Sequence, residues 1–349
     1  MRVAAVQLEV ALADVERNLA ESERLVREAA RGGAELVALP EFFTTGAAFV
    51  PELRDAALAP DGPATELLVT LGREEGIWVG GSFLCRDPDG EVRNAFVLAG
   101  PDGELRGRHD KDLPTMWENA FYVGGSDDGV IDAGPFTAGA AVCWEFMRSA
   151  TARRLAGRVD VVVGGSNWWS IPAWPPRAVT TRLERSNART ARTAPAVFGR
   201  LVGAPVVHAA ICGEFSCRMP ELPVLPYEGH FQGGALVAAA DGTVLALRER
   251  ERGSGVAIAD VDVGRVEPIA PIPSRYWLHP RGAVAAAAWN TQRLHGRRWY
   301  ARHVRGRRPS GPPSRRPARR AGPAGAGGDA SGAASSSPAR TVSATRPSP

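Results

Sequence analysis
The sequence predicts an α/β fold, and three observations carry that prediction. Strand-like apolar runs alternate with stretches whose apolar residues recur at helical spacing. The first three elements read strand, 18-residue helix, strand, a βαβ order that makes the two strands parallel neighbours. The second of them, Glu35-Leu36-Val37-Ala38-Leu39, is apolar almost without a break, as strands are when both faces are covered.

In chain order, Val3–Leu8 is the first strand. In the helix Asp14–Arg31, residues Val15, Leu19, Ser22, Val26 and Ala29-Ala30 recur at helical spacing; Asp14 can cap it and Gly32-Gly33 can stop it. A second helix, about Ala64–Glu75, leads to a strand at Trp78–Cys85. The turns Asp87-Pro88-Asp89-Gly90 and Pro101-Asp102-Gly103 set off short strands at Asn94–Leu98 and Glu104–Arg108. A strand at Gly139–Val142 ends at Cys143, and a helix follows through Arg148–Leu155. The buried strand Asp160–Val163 runs into Gly164-Gly165-Ser166-Asn167-Trp168-Trp169. A long Arg-rich helix occupies roughly Pro176–Arg200, and strands at Pro205–Ile211, Gly234–Ala239, Val244–Leu247 and Val256–Val261 complete the body. Residues 276–305 carry aromatics that fit a docking helix. Residues 306–349, rich in Arg, Pro, Gly and Ser, cannot bury enough apolar surface to order themselves, so a disordered tail is expected.

Composition removes several function classes. Charged residues are 23% and the AVILMFWYC set 44%, ordinary for a chain of 349 residues with a sizeable core. There is no apolar run of about 18 residues, so a membrane-spanning helix is not expected. No basic segment followed by an apolar one opens the chain, so neither is a signal peptide. The four cysteines, Cys85, Cys143, Cys212 and Cys217, show no disulfide-scaffold spacing, which suits a reducing cytoplasm. Cys212 and Cys217 lack a second Cys or His pair and read as small buried residues rather than zinc ligands. The net charge of +4 is unevenly spread: residues 306–349 carry eight arginines and one aspartate, a sum of +7, which leaves the first 305 residues at −3.

Three places carry reactive groups at or just after strand ends, where the loops of an α/β sheet converge. In Leu39-Pro40-Glu41-Phe42-Phe43 a carboxylate follows an apolar strand. Poor solvation there would raise its pKa and make it a base near neutral pH, although taken alone a loop glutamate capping the next segment is the commoner case. In His109-Asp110-Lys111-Asp112-Leu113-Pro114-Thr115-Met116-Trp117-Glu118 a lysine could face a developing oxyanion, or be a solvated surface charge. In Ala140-Ala141-Val142-Cys143-Trp144-Glu145-Phe146 a cysteine stands at a strand-to-helix junction, where a helix N-terminus would lower the thiol pKa; a buried structural cysteine is the competing reading.

Glu, Lys and Cys in this order, each after a strand, resemble the carbon–nitrogen hydrolase family, the nitrilase superfamily. The resemblance spans residues 1–275 and includes the opening Val3-Ala4-Ala5-Val6-Gln7, Asn18-Leu19, and the run from Gly32-Gly33-Ala34-Glu35-Leu36-Val37 to Pro40-Glu41. It implies a four-layer αββα sandwich. It also implies a catalytic triad of Glu41, Lys111 and Cys143, with Glu118 as a second glutamate ordering the site. Glu41 would take the thiol proton and later activate water. Lys111 and the backbone N–H of Trp144 would hold the oxyanion, and Cys143 would form an acyl thioester, or first a thioimidate from a nitrile. This chemistry requires no metal and no organic cofactor.

Cys143-Trp144-Glu145 and Lys111-x-x-Pro114-Thr115-x-x-Glu118 are similar to the nitrilase branch. Asp110 and Asp112 around the lysine, Phe146-Met147-Arg148-Ser149 after the nucleophile and Ser166-Asn167-Trp168-Trp169 depart from it. The acidic neighbours of Lys111 should hold it protonated. Trp117, Trp144, Asn167 and Trp168 are the candidate substrate-binding residues, with Tyr122 and Trp169 as further aromatics. Packing in the core or a subunit interface is the competing reading for the aromatics, and a loop cap for Asn167. Glu145 could face substrate or brace the helix start. His208, inside an apolar strand, reads as a core histidine.

The expected function is therefore cleavage of a nitrile or amide to a carboxylic acid and ammonia. Acyl transfer to an amine is the rival within enzymes, and an idle scaffold with a nucleic-acid-contacting tail the rival outside them. The tail has no aromatics to stack on bases, and the arginines of the long helix are scattered over its faces, so nucleic acid is disfavoured as a partner. A small-molecule substrate, a cytoplasmic location and a homo-oligomer are the remaining expectations.

Overall fold
The computed structural model describes residues 1–218, 225–279 and 283–307. The strands are β1 (Arg2–Glu9), β2 (Leu36–Glu41), β3 (Trp78–Arg86), β4 (Val92–Ala99), β5 (Leu105–Asp110), β6 (Val130–Asp132), β7 (Thr137–Val142), β8 (Val161–Ser166), β9 (Val206–Cys212), β10 (Glu214–Arg218), β11 (Pro226–His230), β12 (Ala235–Ala238), β13 (Val244–Arg248) and β14 (Gly255–Asp260). The helices are α1 (Val15–Arg31), α2 (Pro63–Glu75), α3 (Ser149–Leu155), α4 (Arg177–Val202) and α5 (Ala283–His303). The expected tail lies outside the described residues from 308 onward.

Side-chain alternation along the strands builds the layers. Val3 and Ala5 of β1 and Leu36 and Ala38 of β2 share one core with Ala140 and Val142 of β7, Val161 and Val163 of β8, and Val207 and Ala209 of β9. Their neighbours point the other way. Ala4, Val6, Val37 and Leu39 pack on Leu25, Val26 and Ala29 of α1 and on Leu68 and Leu71 of α2. On the far side Ala141, Val162 and Val206 pack on Leu155 of α3 and on Phe198 and Leu201 of α4. The result is the four-layer αββα sandwich, its two sheet halves joined in one hydrogen-bonded path, β5-β4-β3-β2-β1-β9-β8-β7-β6.

β1 and β2 are parallel, as the βαβ order requires, and β1 runs parallel to β9, β9 to β8 and β8 to β7. Two antiparallel hairpins, β3–β4 and β4–β5, return β5 to the direction of β2. The C-terminal ends of β2, β5, β7 and β8 therefore reach one rim. Asp14 caps α1 by accepting from the Arg17 N–H at 3.2 Å, as its side chain predicts.

One element differs from expectation in a way that matters. No α-helix begins at Cys143: a 3-10 turn, Cys143–Met147, comes first, and α3 starts only at Ser149. The sequence reading also misses the short β6 and the β10–β11 hairpin. No helix among the described residues is long and apolar enough to cross a membrane.

Candidate active site
Glu41 is the last residue of β2 and is fully buried. Its Oε1 accepts from Lys111 Nζ at 2.8 Å and from Asn94 Nδ2 at 2.9 Å, and its Oε2 from the Asn167 backbone N–H at 2.9 Å. Burial is the largest influence on this carboxyl and pushes it up to about 7; Lys111 pulls the other way, and the charge of Glu118 adds to the rise.

Lys111, one residue beyond β5, is 1% exposed. Its ammonium donates to Glu41, to Glu118 Oε2 at 2.7 Å and to Thr115 Oγ1 at 3.2 Å. Burial alone would lower the lysine, but the charges of Glu118 and Glu41 outweigh it and hold the group well above its ordinary value. The expected acidic neighbours are not the cause: Asp110 pairs with Arg108, and Asp112 with Arg148 and Arg154. Glu118 sits in the 3-10 turn Met116–Ala120, where its Oε2 also accepts from the Thr115 N–H and the Tyr122 hydroxyl. The glutamate is held by the lysine it holds.

Cys143 is 1% exposed and adopts a left-handed backbone, φ +56°. A ligand atom of each of Glu41, Glu118 and Cys143 falls within 4.8 Å of the others, and the Lys111 ammonium supplies the positive charge in this group. Lacking a helix N-terminus, the thiol is not lowered as the sequence suggests. Burial first, and the neighbouring Glu41 second, push it well above the ordinary thiol value.

Glu145 braces the turn that carries Cys143. Its Oε2 accepts from the Val142 N–H at 2.8 Å and lies 2.9 Å from His109 Nε2, while its Oε1 accepts from the Asp112 N–H at 3.2 Å. His109 Nδ1 meets Asp127 Oδ1 at 2.5 Å. Burial would lower His109, yet the two carboxylates raise it to about 10. The segments bearing Cys143 and Lys111 are thus tied together by the buried His109–Glu145 pair, which Asp127 anchors from the surface.

The candidate substrate-binding residues part ways. Asn167 spends its carboxamide on the backbone of Ala47, accepting from its N–H at 3.2 Å and donating to its C=O at 3.0 Å. Only its backbone N–H reaches Glu41. Trp168 packs into the inner core beside Trp144, and its Nε1 donates to Asn187 at 2.9 Å. Trp117 instead borders an enclosed cavity of about 60 Å³ together with Trp169, Tyr227 and Gln292. Tyr122 is buried against Phe42 and Glu118. His208 is a core histidine, its Nε2 2.8 Å from Ser166 Oγ, and burial lowers it to about 3.

Asn94, His109 and Asp127 were given no role from the sequence, and Thr115 entered only as part of the lysine motif. Strand alternation could have found one of them, since His109 and Lys111 share a parity and so a face. The β4–β5 register also sets Asn94 beside Lys111, whose N–H donates to the Asn94 C=O at 3.0 Å.

An αββα sandwich with thiol, carboxylate and ammonium groups buried together at one rim defines an α/β enzyme rather than a binding module. The carbon-nitrogen hydrolase family model matches residues 2–271, and the chain belongs to that family. It is 30% identical over 198 residues to a nitrilase of Pyrococcus abyssi, covering 54% of this chain and 73% of that protein. An aliphatic nitrilase of Rhodococcus rhodochrous is 27% identical over 281 residues, 76% of each chain, and an omega-amidase of Mus musculus 27% over 212 residues, 55% of this chain and 75% of its own. The fold is also that of an amidase mutant from Nesterenkonia sp. AN1 whose active-site cysteine carries acrylamide by Michael addition (TM-score 0.53, 21% identity, 74% of this chain and 92% of that one). It is likewise that of the C. elegans NitFhit protein (TM-score 0.57, 20% identity, 75% and 60%).

Proposed function
We propose that this chain hydrolyses small amides or nitriles to the carboxylic acid and ammonia through an acyl thioester on Cys143. One observation carries the reading: a buried ammonium, Lys111, donates to Glu41 at 2.8 Å and to Glu118 at 2.7 Å in the cluster that also holds the Cys143 thiol.

Glu41 removes the thiol proton as sulfur attacks the carbonyl carbon. A free thiolate is disfavoured here, so transfer and attack proceed together. The Lys111 ammonium and the Trp144 backbone N–H stabilise the oxyanion. The proton on Glu41 goes to the departing nitrogen, and ammonia leaves the acyl thioester. Glu41 then deprotonates a water that attacks the thioester, the S–C bond breaks, and the thiol regains its proton. With a nitrile the first adduct is a thioimidate, and one further water replaces its nitrogen. Glu118 keeps the ammonium in line, and Trp117 borders the acyl group.

Ammonia release from a panel of aliphatic and aromatic amides and nitriles, compared between wild type and Cys143→Ala, tests this. Loss on the order of 10⁴-fold or more is expected from removing the nucleophile. Release that survives in Cys143→Ala would overturn the assignment.

A further inference from the structure
Helix α5 lies outside the segment that matches the family model, yet it is built onto the site. Trp289 stacks on Trp144, the neighbour of Cys143, with ring centroids 5.4 Å apart and planes 17° from parallel. Two turns further on, Gly296 meets the 3-10 turn that carries Glu118 so closely that a Cβ there would stand 2.8 Å from Asn119 Cβ. Glycine is what permits this approach. The far end of α5 is pinned to β4 and the turn before it. The Tyr300 hydroxyl accepts from the Val92 N–H at 2.8 Å and donates to Glu91 at 2.6 Å, and Arg86 donates to the Val304 C=O at 3.0 Å.

Between these contacts Gln292 faces the enclosed cavity of about 60 Å³ bordered by Trp117, Trp169, Tyr227 and Arg218. Its carboxamide Oε1 is buried and accepts no hydrogen bond. A buried acceptor left without a donor is costly, and here it borders a space with room for a few non-hydrogen atoms. The cavity adjoins Trp117, next to Glu118, and Trp169, two residues after the Asn167 that holds Glu41.

We propose that α5 completes the acyl-binding chamber and that Gln292 is a specificity-determining residue, selecting acyl chains that end in a hydrogen-bond donor such as a hydroxyl or a carboxamide. Aromatic walls take the methylene stem, Gln292 Oε1 accepts from the terminal group, and Arg218 stands beside an acceptor on the same group. The inference rests on Cys143 being the nucleophile, but not on water completing the reaction.

The test uses two α,β-unsaturated amides of equal shape, 5-hydroxypent-2-enamide and hex-2-enamide. Each adds to the thiol by forming an S–C bond at the β-carbon while the thiol proton passes to the α-carbon. Adduct formation on Cys143 of the full chain is followed by peptide mass spectrometry. Wild type is expected to react roughly tenfold faster with the hydroxyl probe. Gln292→Leu should abolish or invert that preference, and Gln292→Glu, which keeps an acceptor, should retain it. Equal rates in wild type, or a preference unchanged in Gln292→Leu, would overturn the proposal. A chain that shows the tail preference yet releases no ammonia from saturated amides would count against hydrolysis and leave the chamber standing.

Discussion

Replacing Glu118 with glutamine separates the charge effect of this residue from its shape. Oxygens of Glu41 and Glu118 lie within 4.8 Å of each other. Two unit charges at that distance repel by roughly 3 kcal/mol at an effective dielectric of about 20, or about two pKa units. The Lys111 ammonium sits between them and absorbs part of the repulsion. Glu41, held up at about 7 by burial and by Glu118, should therefore fall by about one unit in Glu118→Gln. A general base with a lower pKa is deprotonated at lower pH, so the acid limb of kcat/KM moves down by about one unit. The plateau should drop roughly tenfold or more, because Lys111 loses an anionic partner that fixes it. The assay is ammonia release across pH 5 to 9 for both proteins, on a substrate that wild type turns over. An acid limb that stays in place, or rises, would refute the electrostatic argument even if the plateau falls.

Lys111→Met should leave Glu41 and Glu118 without their shared ammonium in a buried site; about 3 kcal/mol of stability is expected to be lost, read by urea unfolding. His109→Gln should cost a similar amount, about 3 kcal/mol, by leaving Glu145 without its imidazolium. Because His109 is raised from 6.5 to about 10, its stabilisation is complete below the unfolded value and fades as pH climbs through 10. Wild type should thus lose more stability than His109→Gln between pH 6.5 and 10, and parallel curves would dismiss the pairing. Alkylation of Cys143 by iodoacetamide should be slow at neutral pH and faster in alkali, following a thiol raised by burial, and a rate plateau already reached at pH 7 would contradict that environment.

The sheet and its covering helices were legible because alternation and helical spacing are local signals. Val3 to Leu8 and Leu36 to Leu39 are apolar at every step but Gln7, and burial on both faces is what they record. Glu41, Lys111 and Cys143 each stand at a strand end, but it was their resemblance to the carbon–nitrogen hydrolase pattern that singled them out together. What stayed hidden depends on contacts distant in sequence. Nothing near Glu145 announces His109, 36 residues earlier, nor does Asn167 announce Ala47, 120 residues away. The helix expected at Cys143 failed for a local reason: Glu145 turns back to the Val142 N–H and closes a tight turn before an α-helix can start.

That turn changes how Cys143 would act as the proposed nucleophile. With a helix N-terminus at the sulfur, a standing thiolate would be reasonable. Instead Cys143 sits in a left-handed backbone worth about 1–3 kcal/mol of strain, on a thiol that burial keeps neutral. The strain persists because Glu145, His109 and Asp127 fix the turn on one side and β7 on the other. What the strained geometry secures is position: the sulfur stands within reach of Glu41 and Lys111 before substrate arrives. Activation then lies in the poise of Glu41 near neutrality, raised by burial and Glu118 and restrained by Lys111. On the proposed mechanism such a site stores no reactive anion, and its chemistry would start only when a carbon is present for the sulfur to attack as its proton leaves.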